Sequence, residues 1–138
     1  MVPKEQCHVG SLRMIPAVLL ALASILGSCS LTVEEKVWDH KVYYPGAKHL
    51  HIQICGDQQT GKLLGAQIAG PIDTEVSKRV DIFATAIFHD MLVDDLNDLD
   101  LSYTPPLSAP WDAVQAVAQT WNRTARRSAG KNKRLAAS

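Results

Sequence analysis

The sequence predicts an α+β fold, an antiparallel sheet with helices packed on one face, on the strength of three stretches. Leu50, Ile52 and Ile54 alternate with His49, His51, Gln53 and Cys55, the period-two pattern of a half-buried strand. Gly56-Asp57-Gln58-Gln59-Thr60-Gly61 follows as a polar cluster bounded by glycines, and a second apolar run, Leu63 to Ala69, completes a hairpin. After Pro71-Ile72-Asp73 the period changes. Val76, Val80, Phe83, Ile87 and Met91 recur at spacings of four, three, four and four, which lines one face of a helix and leaves Lys78, Arg79 and Asp81 off the stripe.

The remaining elements follow in chain order. Leu31 to Tyr44 is expected to supply a first strand through Val33, Val37, Val42 and Tyr43, interrupted by Glu34-Glu35-Lys36. Leu92, Leu96 and Leu99 are spaced for a short second helix among Asp94, Asp95 and Asp98. That acidic cluster lacks the glycine and terminal glutamate of a calcium loop, so it is taken as a solvated helix face. Leu101-Ser102-Tyr103 is expected as a short edge strand, ended by Pro105-Pro106 because proline cannot donate to a ladder. Ser108 or Ala109 is then expected to cap a last helix with Pro110 near its first turn. Val114, Val117, Ala118 and Trp121 make its apolar face, and Asp112 sits near its positive end. No internal repeat is present.

At 138 residues and 46% apolar content the chain has room for one modest core. The formal net charge of zero hides an asymmetry. Arg123, Arg126, Arg127, Lys131, Lys133 and Arg134 are six of the fourteen basic residues, and no acidic residue follows Asn122. Such a tail can bind nucleic acid or an anionic membrane, but a disordered, solvated terminus is the simpler expectation, and no nucleic-acid partner is assigned. Cys7, Cys29 and Cys55 are odd in number and form no C-x-x-C pair, so neither a disulfide framework nor a redox couple is legible. Cys55 is expected as a small core or interface residue.

Residues 1–31 differ from the rest. Lys4 and Arg13 precede a thirteen-residue apolar run, Met14 to Leu26. It is shorter than the roughly twenty residues a spanning helix needs, but it suits a signal-peptide core. Leu26-Gly27-Ser28-Cys29 resembles a lipoprotein cleavage box. A non-native leader on a severed gene is the competing reading, and both stay open.

The chemistry is defined by absences. No G-x-G-x-x-G follows a strand, because Gly56, Gly61, Gly65 and Gly70 have the wrong spacing and belong to the hairpin. No Ser/His/Asp order and no metal-spaced His/Cys cluster stands out. His49 and His51 share a strand face, but two ligands make a poor metal site, and solvated or hydrogen-bonded histidines are commoner. On its residues alone the chain is an α+β module without visible catalytic machinery.

Three short motifs add a resemblance. Tyr43-Tyr44-Pro45-Gly46, Lys78-Arg79-Val80-Asp81 and Asp100-Leu101-Ser102-Tyr103-Thr104-Pro105-Pro106 come in the order, and close to the spacing, of the C-terminal dimerisation domain of FAD-dependent pyridine nucleotide-disulfide oxidoreductases. The coenzyme A-disulfide reductase and NADH oxidase branch is the most similar, over roughly Asp39 to Trp121. The resemblance implies a homodimer, in which a two-fold interface uses the same patch on both chains. It implies FAD and NAD(P)H for a parent enzyme, bound by upstream domains that this chain lacks and not by this chain, together with a redox cysteine there. It implies a cytoplasmic location, against the alternative of an exported, membrane-anchored lipoprotein that binds a partner or ligand in the cell envelope.

The resemblance also names two site candidates. In that branch the tyrosines matching Tyr43 and Tyr103 lie near the partner subunit's redox cysteine, where a phenol can donate to a developing thiolate or a bound substrate. The alternative is a pair of interface aromatics with satisfied hydroxyls. The histidine–glutamate motif of the glutathione reductase branch is absent, and Trp111 stands where relatives often carry lysine. The expected organisation is a leader over 1–31, a dimerisation domain over 32–122 and a basic disordered tail over 123–138. The expected function is a dimerisation module or fragment of a flavin-dependent NAD(P)H disulfide oxidoreductase, without independent catalysis.

Overall fold

The computed structural model describes residues 30–135, with side chains to Lys131. Residues 1–29 of the expected leader, with its cleavage-box motif, and the last three residues lie outside the described residues, whereas Ser30 and Leu31, expected to belong to the leader, open the first strand. Three strands, β1 (Ser30–Trp38), β2 (His49–Asp57) and β3 (Leu63–Ala69), are followed by helices α1 (Val76–Phe88), α2 (Val93–Asn97) and α3 (Ala113–Leu135). The sheet is antiparallel throughout, in the order β1-β2-β3. The α+β class, with helices on one sheet face, is the architecture the sequence predicts.

The alternation in β2 explains that layering. Leu50, Ile52 and Ile54 are fully buried, and their partners Val37, Val33, Ile68 and Ala66 extend the same face. Onto it α3 packs against β1 and β2, α1 packs against β3, and α2 packs on α3. The register shifts by one after Cys55, where Leu64 of β3 is left unpaired; Cys55 itself stays in register with Thr32 and Gly65 and is buried although it is out of phase with the core residues. The turn after β2 is held by the Asp57 carboxylate, which accepts from the Gln59 and Thr60 amides, and Gly61 takes a φ of +77°.

Several expectations are corrected. Glu34-Glu35-Lys36 does not interrupt β1: Glu34 and Lys36 face outward, while Glu35 faces the core side and accepts from Thr120 Oγ1 of α3 at 2.8 Å. β1 ends at Trp38, so Val42 and Tyr43 lie in the following loop instead of in the strand. Leu101-Ser102-Tyr103 forms no strand. The last helix begins at Ala113 and not near Pro110, because Asp112 is its N-cap: the carboxylate accepts from Val114 N, and Gln115 Oε1 accepts from Asp112 N. It continues to Leu135, through most of the span expected to be disordered.

The apolar stripe of α1 is also rotated from its expected position. Arg79, Phe83 and Ala86 are buried, whereas Val80 and Ile87 are 45% and 39% exposed. Arg79, which lies off the expected stripe, is completely buried. The apolar arc of α1 is wider than its contact with the sheet, and Arg79 enters the core with an acceptor for each of its three nitrogens. Among the described residues no helix is long and apolar enough to cross a membrane.

Candidate functional site

Two irregular loops carry the chain's candidate residues. The first joins β1 to β2. Its mouth is closed by Asp39 N donating to Lys48 O and by the Asp39 carboxylate accepting from the Lys48 and His40 amides, each at 2.9 Å. His40 Nδ1 approaches the other carboxylate oxygen at 3.1 Å. Within the loop Tyr44 N donates to Lys41 O, and Gly46 turns the chain at a φ of +88°, a conformation that suits glycine. Tyr43 and Tyr44 stack with ring centroids 5.0 Å apart, and Tyr43 is 70% exposed.

The second loop runs from Asp98 to Asp112. Buried Ser108 organises it: Thr104 N donates to Ser108 Oγ at 3.0 Å, and the Leu107 and Ser108 amides donate to Thr104 O. Ser108 is therefore a turn residue, not the helix cap expected from sequence. Tyr103 precedes this turn and is 46% exposed. Trp111 is exposed as well.

Helix α1 ties the loops together through Lys78 and Arg79. Lys78 Nζ donates to Leu107 O at 2.7 Å. Burial, and then the neighbouring Arg79 charge, hold the Lys78 ammonium below the ordinary lysine range, opposed by Asp112, Glu75 and Asp39. Arg79 makes a two-pronged contact with Asp112, Nε to Oδ1 and Nη2 to Oδ2, both at 2.9 Å. Its Nη2 also donates to the Asp39 carbonyl at 2.6 Å, and its Nη1 to the Glu75 carbonyl at 3.1 Å. The three motifs quoted from the sequence thus meet: the middle one bonds the loops that carry the other two.

The structure places Tyr43 and Tyr103 on the surface of these two anchored loops. What sequence reasoning missed is the anchor itself. A signal was present: Asp112 followed three residues later by Gln115 is a helix-start signature that marks Asp112 as structurally committed. Nothing comparable announced Arg79, which looks like a solvated helix residue until its partners converge.

The other candidates do not form a site. His49 stacks on Trp38 with ring centroids 3.7 Å apart, and His51 Nδ1 faces Glu34 at 3.9 Å. Among the described residues no group of three His, Cys, Asp or Glu side chains can hold a metal. A cleft of about 230 Å³ between α2 and α3 is lined by Asp94, Asn97, Gln119, Asn122, Arg123 and Arg126, where Asp94 is already engaged by Asn122 at 2.9 Å. The glycines of the hairpin do not fit a flavin or nicotinamide pyrophosphate, which needs a glycine-rich turn opening directly into a helix N-terminus.

The described residues thus present a three-stranded antiparallel sheet, helices on one face and exposed tyrosines on anchored loops. Residues 30–114 match the dimerisation domain of the pyridine nucleotide-disulphide oxidoreductases, and the chain belongs to that family. The coenzyme A disulfide reductase of Staphylococcus epidermidis is 33% identical over 85 residues, 62% of this chain and 19% of that protein. The structure of reduced CoADR-RHD from Bacillus anthracis covers 77% of this chain and 19% of its own, with 33% identity and a TM-score of 0.70. An NAD-dependent persulfide reductase from A. fulgidus covers 72% and 18%, with 34% identity and a TM-score of 0.68. The chain spans about a fifth of the length of the curated relatives it matches.

Proposed function

We propose that this domain pairs with a second copy of itself and presents Tyr43 and Tyr103 to the partner subunit's redox centre, within an FAD-dependent NAD(P)H disulfide oxidoreductase of the coenzyme A-disulfide reductase type. The observation that carries this reading is the combination of exposure and anchorage. Both tyrosine side chains stand open to solvent, yet both loops are fixed to a buried ion pair. A phenol that serves another subunit needs both properties, since its O–H must reach outward and must not wander. The hydrogen transfer chemistry belongs to flavin and nicotinamide bound outside the residues described, and the nicotinamide nucleotides make the cytoplasm the expected compartment. This chain's own contribution is to hold two O–H donors beside a developing thiolate.

The outer flank of α1 supports self-association. Val80, Ala84, Ile87 and Phe88 form an exposed apolar strip at helical spacing, with Phe88 83% exposed. Such a strip is unfavourable in water and suits an isologous interface. Sedimentation of the purified full chain tests the reading. A colourless dimer is expected, and a monomer, or a chain that carries flavin, would overturn it.

A further inference from the structure

We infer that Arg79 is a positioning residue, which sets the two tyrosine loops relative to each other by bonding Asp112 and the Asp39 carbonyl at once. The inference deepens the proposal that Tyr43 and Tyr103 serve one site, and it rests on that reading for its functional meaning.

Stability alone does not account for this arginine. A buried ion pair is costly to desolvate, and replacing such a pair with well-packed apolar residues is often neutral or stabilising. Its neighbours on the buried face of α1, Phe83 and Ala86, are apolar, so a hydrophobic residue is the ordinary solution at this position. What a hydrophobic residue lacks is direction. The guanidinium is a planar fork with five donors, and here it reaches acceptors on three segments: Asp112 at the start of α3, Glu75 before α1, and Asp39 at the mouth of the first loop.

Each loop is closed on itself by its own hydrogen bonds, Asp39 with Lys48 in one and Ser108 with Thr104 in the other. Those bonds fix the shape of each loop but not the distance between them. Arg79 supplies that link, and Lys78 adds a tie to the second loop through Leu107 O. A lysine at position 79 keeps the charge opposite Asp112 but has no fork with which to hold the Asp39 carbonyl as well.

The chain has three tyrosines, Tyr43, Tyr44 and Tyr103, all in these loops, so tyrosine itself is the probe. The full chain labelled with 3-fluorotyrosine should give three ¹⁹F lines. Arg79→Met is expected to shift or broaden the Tyr43 and Tyr103 lines by more than a linewidth. Arg79→Lys is expected to move the Tyr43 line and leave the Tyr103 line near its original position. Leu63→Ala, a core truncation at the hairpin end of the sheet, opposite the loops, should lower the melting temperature and move neither.

Unmoved tyrosine lines in a folded Arg79→Met chain overturn the inference, as do equal movements in Leu63→Ala. Should Arg79→Met fail to fold, Arg79→Lys decides: an unmoved Tyr43 line refutes the link. Sedimentation of the same unsubstituted sample separates the two claims, because a monomer removes the partner-serving reading while the spectra still judge the positioning role.

Discussion

Gly56 lies against the indole of Trp121, and a Cβ built there would come within 2.7 Å of the ring. That indole is itself fixed, because Trp121 Nε1 donates to Leu31 O at 2.8 Å, so it cannot swing aside without losing a hydrogen bond. Gly56→Ala should therefore destabilise the domain by about 1–3 kcal/mol, the usual cost of overpacking. Urea denaturation measures it, and an unchanged midpoint would show that α3 can lift freely from the sheet. One residue on, the amides of Gln59 and then Thr60 hold the Asp57 carboxyl below the usual aspartate range. Its folded pKa is depressed, so its contribution is complete above the unfolded value of about 4 and is lost as pH falls through the folded value. Asp57→Asn keeps the acceptor without the titration. Its melting temperature should lie below the parent's at neutral pH and fall less steeply in acid, so that the two converge; equally steep acid limbs would count against this account.

At the scale of elements, the start of α3 depends on one reciprocal contact. Gln115 Oε1 accepts from Asp112 N, while its Nε2 donates to Asn97 O at 3.1 Å and Leu99 O at 2.8 Å. Gln115 thereby ties α3 to the chain leaving α2. Gln115→Ala strands three buried or half-buried backbone groups and should cost about 2–3 kcal/mol, toward the upper end for unsatisfied polar groups. Gln115→Glu retains the acceptor but not the donors, so it should recover part of the loss in the same denaturation experiment. Full recovery would mean that the bonds to Asn97 and Leu99 contribute nothing. The helix start was legible in Asp112-x-x-Gln115, and the prolines at Pro105, Pro106 and Pro110 obscured it by offering an earlier start. The orientation of α1 was not legible. Its apolar arc spans both flanks, and hydrophobic spacing cannot say which flank meets the sheet when both are apolar.

At the scale of the whole molecule, the flank of α1 that the sheet does not cover should mediate pairing. Val80→Glu combined with Ile87→Glu is expected to leave the melting temperature of the monomeric fold nearly unchanged, because both side chains are partly exposed before association. Dimer affinity should fall about tenfold or more, since an unpaired charge buried at an interface costs upward of about 2 kcal/mol. Sedimentation across a concentration series reads that change. A dimer of undiminished affinity would move the interface away from α1 and onto the open outer face or the edges of the sheet.

β2, the hairpin, the positions of α1 and α2 and the family resemblance were determined by the sequence, because each is written in a local period or a short run of motif residues. The tertiary structure decided the rest. It showed Glu35 accepted into β1 by Thr120, 85 residues away, and the β2–β3 register shifted by one at Leu64. It also showed Arg79 drawn into the core by Asp112 and the Asp39 carbonyl, 33 and 40 residues away. A buried charge is stable only where its partners converge on it, and that convergence exists only once the chain has folded.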